Sequence, residues 1–485
     1  MSKVRRFTRA RTLVGVSGLA AVILLSQGAA AAAAAPNLDW PQYLHGPQHS
    51  SVSPDQAFTT SNAGSATQAW HWPPPGQTVV LDASPTVVGG TVYIGAQSGV
   101  FYALNASNGA QLWTRSLGTN PPGTCPRTRG ITATAAVLPD PVTGTSTVYA
   151  SGARDLYALN AATGAVVWKT RIGPTTTNPD AYYNWSSPTV AAGHIYVGLS
   201  SECDNPLVRG GVVELDQHTG KVLHTWFAVP KGSIGASVWS SIVTSSNGSD
   251  VWVSTGNECD PIENTCPAGN RFGNSLSIVH LSGSLTFLQA WQVPASQRCT
   301  DCDFGSSPTL FGSLGTPPDV GACNKNGNYY ALADNPLGTT PRWTATVSQP
   351  ANGDFMSCLA SAVWDGHTGQ LYVGGNAPLG SITFAGTVQE LDPATGSVIW
   401  QTNLPCAVMG TPSKDSAGVL AVGTYNCFRP LQPGFKPGAY LLDAGTGAIL
   451  KTLPVGSSKV FGQPVFARGS LFVATESKGL YDFVP

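Results

Sequence analysis

Charge is scarce in this sequence: Asp, Glu, Lys and Arg make up 11% of its 485 residues, and 25 basic residues nearly balance 26 acidic ones. With so little net field, the chain is not expected to gather nucleic acid or hold an acidic membrane surface. The 8 histidines are scattered without ligand-like spacing, and no Ser/His/Asp constellation is visible, so a hydrolase or lyase has no basis. The apolar run from Leu13 to Leu25 is too short to span a bilayer. What is abundant is turn chemistry. The 55 glycines and 37 prolines describe many short strands joined by tight turns, and long helices are not expected.

The first 35 residues read as an export signal that is cleaved off. Lys3, Arg5, Arg6, Arg9 and Arg11 precede the apolar run, and small residues follow it up to Ala35, as cleavage requires. Arg5-Arg6-Phe7 suits either the ordinary secretory or the twin-arginine route. The expected destination is therefore outside the cytoplasm, with no membrane span left after processing. All 10 cysteines lie beyond this segment, where an oxidising compartment favours disulfides. Cys259 and Cys266 would close a short loop, whereas Cys299 could pair with Cys302 or either could reach Cys323. Cys299-Thr300-Asp301-Cys302 also has zinc-like spacing but lacks a second ligand pair.

From residue 36 to 485 one unit recurs: a Ser-Pro start, an apolar strand, a V-Y-x-G strand, then Y-A-L-N-A-x-x-G-A-x-x-W. Residues 84 to 118 show it complete, with Ser84-Pro85, Val92-Tyr93-Ile94-Gly95, Tyr102-Ala103-Leu104-Asn105, Gly109 and Trp113. Asn160, Gly164 and Trp168 mark a second copy, and Asp216, Gly220 and Trp226 read as a third. Period-2 apolar strands separated by an Asp/Asn-x-x-Gly turn make antiparallel hairpins, with Gly supplying φ > 0. Such a small sheet cannot bury both faces alone, so copies must stack. Units beginning near 84, 132, 186, 238, 304, 359, 407 and 462 predict an all-β, eight-bladed β-propeller of four-stranded antiparallel blades, forming one domain over 36–485. The last unit has only three strands. Gln68-Ala69-Trp70-His71-Trp72 can supply the fourth, so a ring closed between the N- and C-terminal strands is expected rather than an open solenoid.

These repeats, with the opening Asp39-Trp40-Pro41-Gln42-Tyr43, resemble the pyrroloquinoline quinone (PQQ) propeller superfamily. Cys302-Asp303-Phe304-Gly305-Ser306-Ser307-Pro308 and Val253-Ser254-Thr255-Gly256-Asn257 look most like polyvinyl alcohol dehydrogenases and related quinoprotein alcohol dehydrogenases. The resemblance implies PQQ and Ca²⁺ as cofactors, an alcohol substrate, small or polymeric, and an electron acceptor that the sequence does not identify. It places Glu202 and Asn257 at calcium-binding positions, which suits hard oxygen donors. It places Trp239 under the flat quinone, and Ser200, Ser201, Arg129 and Lys325 among the cofactor contacts, the two cations answering PQQ's carboxylates. No covalent haem is expected, because Asp303 stands where an attachment motif would need His. The pattern then departs. A catalytic Asp is expected soon after Asn257, yet Gly269-Asn270-Arg271-Phe272-Gly273-Asn274-Ser275 holds no carboxylate. Glu258, Asp260 and Glu263 are the substitutes nearby, and the sequence does not choose among them. Trp185 stands where relatives keep a small residue and would crowd the pocket. Loss of the acid leaves a second reading open: a non-catalytic propeller that binds protein, peptide or glycan.

Overall fold

Short β-branched and aromatic segments, each ended by a Gly-bearing turn, form strands of 2 to 8 residues. The computed structural model describes residues 37–485 apart from 74–75, 121–128, 176–180, 205, 260–265, 267, 300, 313–317, 350–356 and 428–433. The expected export signal lies outside the described residues, as do Cys125, Asp260 and Glu263. Leu38–Pro485 forms one compact unit. Its strands make eight sheets, the blades of a propeller, antiparallel except where Val52–Ser53 pairs parallel with Ser413–Asp415, and the only helical turns among the described residues are Ala63–Ser65 and Ala295–Gln297.

Blades one to seven span 86–116, 136–171, 189–227, 243–292, 309–346, 363–404 and 413–453. Blade eight takes three strands from 465–484 and its outermost strand from Thr67–Trp72, which pairs antiparallel with Gly479–Val484, Thr67 opposite Val484 and Trp72 opposite Leu480. The two ends of the chain thus close the ring. Every face between neighbouring blades is filled by its own apolar cluster, so the core is a circle of eight contacts rather than one centre.

A repeated clasp joins adjacent blades. The outer-strand Trp of one blade packs on the turn glycine of the next: a methyl group built on Gly164 would meet Trp113 at 2.5 Å, and one on Gly109 would meet Trp70 at 2.6 Å. These glycines also have positive φ, so the turn needs Gly twice over. Blade three corrects the repeat reading. Trp226 is buried against blade four, and the position that pairs with the third strand, opposite Glu214, is held by His224.

The innermost strands present free edges to the central channel, and the N-terminal segment covers them. Trp40 donates its amide to Val87 O of blade one at 2.7 Å, and Pro41 O accepts from Val137 of blade two. Gln42 Oε1 accepts from Val190 of blade three at 3.0 Å. Pro47, Gln48, Ser50 and Ser51 then offer carbonyls to Thr244, Leu310, Trp364 and Lys414 of blades four to seven. Asp55 Oδ2 receives the amide of Gly469 in blade eight. One girdle, residues 40–55, therefore visits all eight blades in order, satisfying edges that would otherwise stay unpaired.

Above the girdle lies a circlet of hydroxyls. Ser84 N–H donates to Thr134 Oγ1 of the next blade at 3.0 Å, and the same bond runs from Thr134 to Ser187, Ser187 to Ser241, Ser241 to Ser307, Ser307 to Ser361 and Ser361 to Thr411. Gln463 closes it, donating its amide to Ser84 Oγ and its Nε2 to Pro412 O, each at 2.8 Å. Tyr43, in mid-girdle, places its phenol among Thr411, Ser361 and Ser307, and burial raises its pKa. The phenol floors the channel.

Candidate functional site

The circlet positions the site, because the residue two places before each of its members also reaches the axis. Blades one and two contribute Asp82 and Thr132, blades three and four the indoles of Trp185 and Trp239, and blade five Gly305. Blades six to eight contribute Leu359, Met409 and Phe461. Together with side chains from the blade-top loops, this tier walls a cavity of about 470 Å³, within the range of small-molecule sites. Besides Asp82, the charged side chains lining it are Arg129, Asp204, Asp303 and Lys325.

Trp239 and Asp303 are joined: the indole N–H donates to Asp303 Oδ2 at 2.7 Å. Lys325 Nζ lies 2.6 Å from Asp303 Oδ1 and 3.0 Å from Asp301 Oδ1, and 5.4 Å from the Trp239 ring centre. Burial pushes the Asp303 carboxyl up to about 6; the Lys325 ammonium pulls the other way, and Asp301 and Asp204 add to the rise. Burial alone would lower Lys325, but the carboxylates of Asp303 and Asp301 overcome it and hold the ammonium charged. The result is an indole plate with a poised carboxylate at its edge and a fixed cation beside it. Gly305 keeps that edge open, since a methyl group there would meet Leu359 at 2.3 Å and Trp239 at 2.6 Å.

Of the expected cofactor contacts, the fold brings Arg129, Ser201, Trp239 and Lys325 to this one cavity. Ser200 turns away and donates to Tyr183 O at 2.8 Å, as the neighbour of a wall-facing residue on a strand must. Arg129 stacks over Trp185, 4.9 Å from the ring centre, and its Nε lies 3.9 Å from Glu202 Oε1. Trp185 donates its indole N–H to Ser201 O at 3.0 Å, and this bond ties the ring to the wall. Glu202 and Asn257 are not among the lining residues: Glu202 accepts from Asn120 at 2.9 Å, and Asn257 donates to Asp301 at 2.7 Å. Among the described residues, no group of three or more His, Cys, Asp or Glu side chains is arranged to hold a metal ion.

None of the carboxylates and side chains considered after Asn257 that the structure describes lines the cavity, whereas Asp303, from a later loop, does. Asn270 and Arg271 bond back to Ile234 and Ser233, and Glu258 lies 3.7 Å from Arg298, all outside the cavity wall. Disulfides brace the cavity rim. Cys299 pairs with Cys302, next to Asp303, and Cys323, two residues before Lys325, pairs with Cys358, next to Leu359. Cys406–Cys427 and Cys259–Cys266 close two further loops, and Cys203 is also disulfide-bonded.

Residues 40–261 match the family model described as glucose/ethanol/alcohol dehydrogenase, beta-propeller domain, and residues 384–483 match that of the outer membrane protein assembly factor BamB. The first of these matches is to a PQQ beta-propeller domain. The chain is 26% identical over 395 residues to a polyvinylalcohol dehydrogenase of Sphingopyxis sp. (strain 113P3), covering 75% of this chain. It spans about half of that relative's length, 51%. Among solved structures, a europium-containing methanol dehydrogenase superposes with a TM-score of 0.73 at 15% identity, covering 92% of this chain and 98% of the other. A quinohemoprotein alcohol dehydrogenase from Comamonas testosteroni gives 0.70 at 18%, covering 93% and 81%. At such identities these two likenesses speak for the PQQ-propeller fold alone.

Proposed function

We propose that this chain is an exported, PQQ-dependent dehydrogenase of alcohols. The observation that carries the reading is the Trp239–Asp303–Lys325 cluster on the cavity wall. The cavity suits a flat, acidic quinone: it offers an indole face, cations at Arg129 and Lys325, and a floor sealed by Tyr43. When bound, PQQ supplies the two-electron acceptor that alcohol oxidation requires. Trp239 would carry the ring, and Arg129 and Lys325 would hold its carboxylates. Asp303, ionised above about pH 6, accepts the hydroxyl proton of the alcohol; a base with a pKa near the working pH combines ionisation with driving force.

Glu202 and Asn257 are the residues that would offer oxygens to Ca²⁺. Asn257 bonds Asp301 through its Nδ2 and Glu202 accepts from Asn120 at Oε2, so Asn257 Oδ1 and Glu202 Oε1 are the oxygens that would serve the ion; neither residue lines the cavity, and no step is routed through Ca²⁺. The reading of a non-catalytic platform drew on a missing acid and on the general use of propellers as binding surfaces; the presence of Asp303 on the cavity wall favours the enzyme. The disulfides are what supports export.

The test is to add PQQ to the purified mature chain, with and without Ca²⁺, and follow tryptophan quenching and dye reduction with simple alcohols. Quenching that saturates at micromolar PQQ, followed by alcohol-dependent reduction, is expected. No uptake at that level overturns the assignment.

A further inference from the structure

The tier that walls the cavity has a charged and an apolar part, with Asp82 of blade one next to Phe461 where the ring closes. Its sector from blades three to five holds both indoles, and Arg129, Asp204, Asp303 and Lys325 lie on that charged side. The sector from blades six to eight holds Leu359, Met409 and Phe461, with Tyr425 packed edge-on against Phe461 at 5.7 Å between ring centres. No ionisable side chain occupies a tier position there. The Tyr425 hydroxyl turns instead to Glu476, 3.0 Å away, so its ring adds to the apolar face while its polar end is satisfied elsewhere.

The two sectors meet at Gly305. A methyl group at that position would touch Leu359 on one side and Trp239 on the other, so the apolar arc begins at the edge of the indole plate, beside the Asp303 carboxylate. A molecule with its hydroxyl at Asp303 therefore lays its remaining atoms over Leu359, Met409 and Phe461. Water bound to such a wall makes few hydrogen bonds, and a hydroxylated substrate would lose its own hydration there without compensation.

We propose that this arc is the substrate-selecting wall, and that the substrates are alcohols whose carbinol carbon sits on a hydrocarbon chain of several carbons, not short alcohols or polyols. The proposal rests on the dehydrogenase reading for the role of Asp303, but the wall makes a binding prediction of its own. Each methylene laid on the arc should tighten binding roughly three- to four-fold, until the arc is covered.

Tertiary alcohols separate the two claims, because they lack a carbinol hydrogen and cannot be oxidised. Titrating 2-methyl-2-alkanols from four to eight carbons into the mature chain, with calorimetry or tryptophan fluorescence as readout, should show affinity climbing with chain length, while glycerol and xylitol show no saturable binding. Met409→Gln and Phe461→Asn should each weaken the eight-carbon ligand about tenfold and leave 2-methyl-2-propanol unchanged. Met409→Gln nearly preserves shape, so it stays informative should Phe461→Asn fail to fold. Equal binding of polyols, or affinity independent of chain length, overturns the proposal. Chain-length dependence in a protein that takes up no PQQ would instead remove the dehydrogenase reading and leave the wall standing.

Discussion

The indole N–H of Trp239 is bonded to the carboxylate of Asp303, so the surface that would carry a flat cofactor and the group that would take a proton move as one body. The hydrogen bond favours the charged carboxylate, working against burial, which raises its pKa.

From this follows a pH profile. Turnover should rise with pH through about 6 as Asp303 loses its proton, and Trp239→Phe, which deletes the donor, should move that limb to higher pH. Asp303→Asn should lower kcat by about 10²–10⁴ while PQQ still quenches tryptophan fluorescence. Full activity in the Asn variant would remove Asp303 from the mechanism.

Gly305→Ala tests the junction of the two sectors. The added methyl must displace Leu359 and the Trp239 ring edge, an overpacking that costs about 1–3 kcal/mol. Weaker PQQ quenching, by about tenfold, is expected, with a melting temperature only a few degrees lower. Unchanged quenching would place the quinone away from this edge.

Asp482 gives a stability prediction independent of function. It is buried in blade eight opposite Trp70, and burial pushes its carboxyl up to about 7, with Ser470 opposing weakly. A folded pKa above the unfolded value means that its stabilisation is complete below about pH 4 and fades as pH rises through about 7. Asp415, pushed up to about 7 by burial, has the same sign. Melting temperature should therefore fall between about pH 4 and about pH 7, and Asp482→Asn should flatten part of that slope and be neutral or stabilising at the upper end. A slope unaltered by the substitution would contradict this assignment.

The ring was legible because each half of the clasp has a local signature: Asn105 and Gly109 belong to one turn and Trp113 follows in the next strand, and the strand that blade eight lacks is spelled out at 68–72. The site was legible only where a residue's direction follows from strand alternation or repeat register. Ser201 and Ser200 were not distinguishable in the string, yet adjacent strand residues face opposite ways and only Ser201 reaches the wall. Asp303 was not singled out as a candidate base, because its closeness to Trp239 depends on how two blade tops approach each other, and spacing along the chain does not encode that. The tier itself was readable in principle: counting two residues back from each Ser-Pro-like start yields its members, including Leu359, Met409 and Phe461, which motif matching passed over. His224 shows the converse hazard, since a nearby Trp226 out of register completed the pattern on paper.

The girdle at 40–55 makes a different kind of statement about this molecule. Repeat arrays commonly gain or lose a unit by duplication, because each copy needs only its neighbours. Here a strip of sixteen residues assigns successive attachment points to successive blades, first to eighth, before the chain continues into the strand that closes the circle. A seven- or nine-membered variant would leave the strip too long or too short for its sockets. The segment acts as a ruler, and blade number is written at the start of the protein as well as in the repeats themselves.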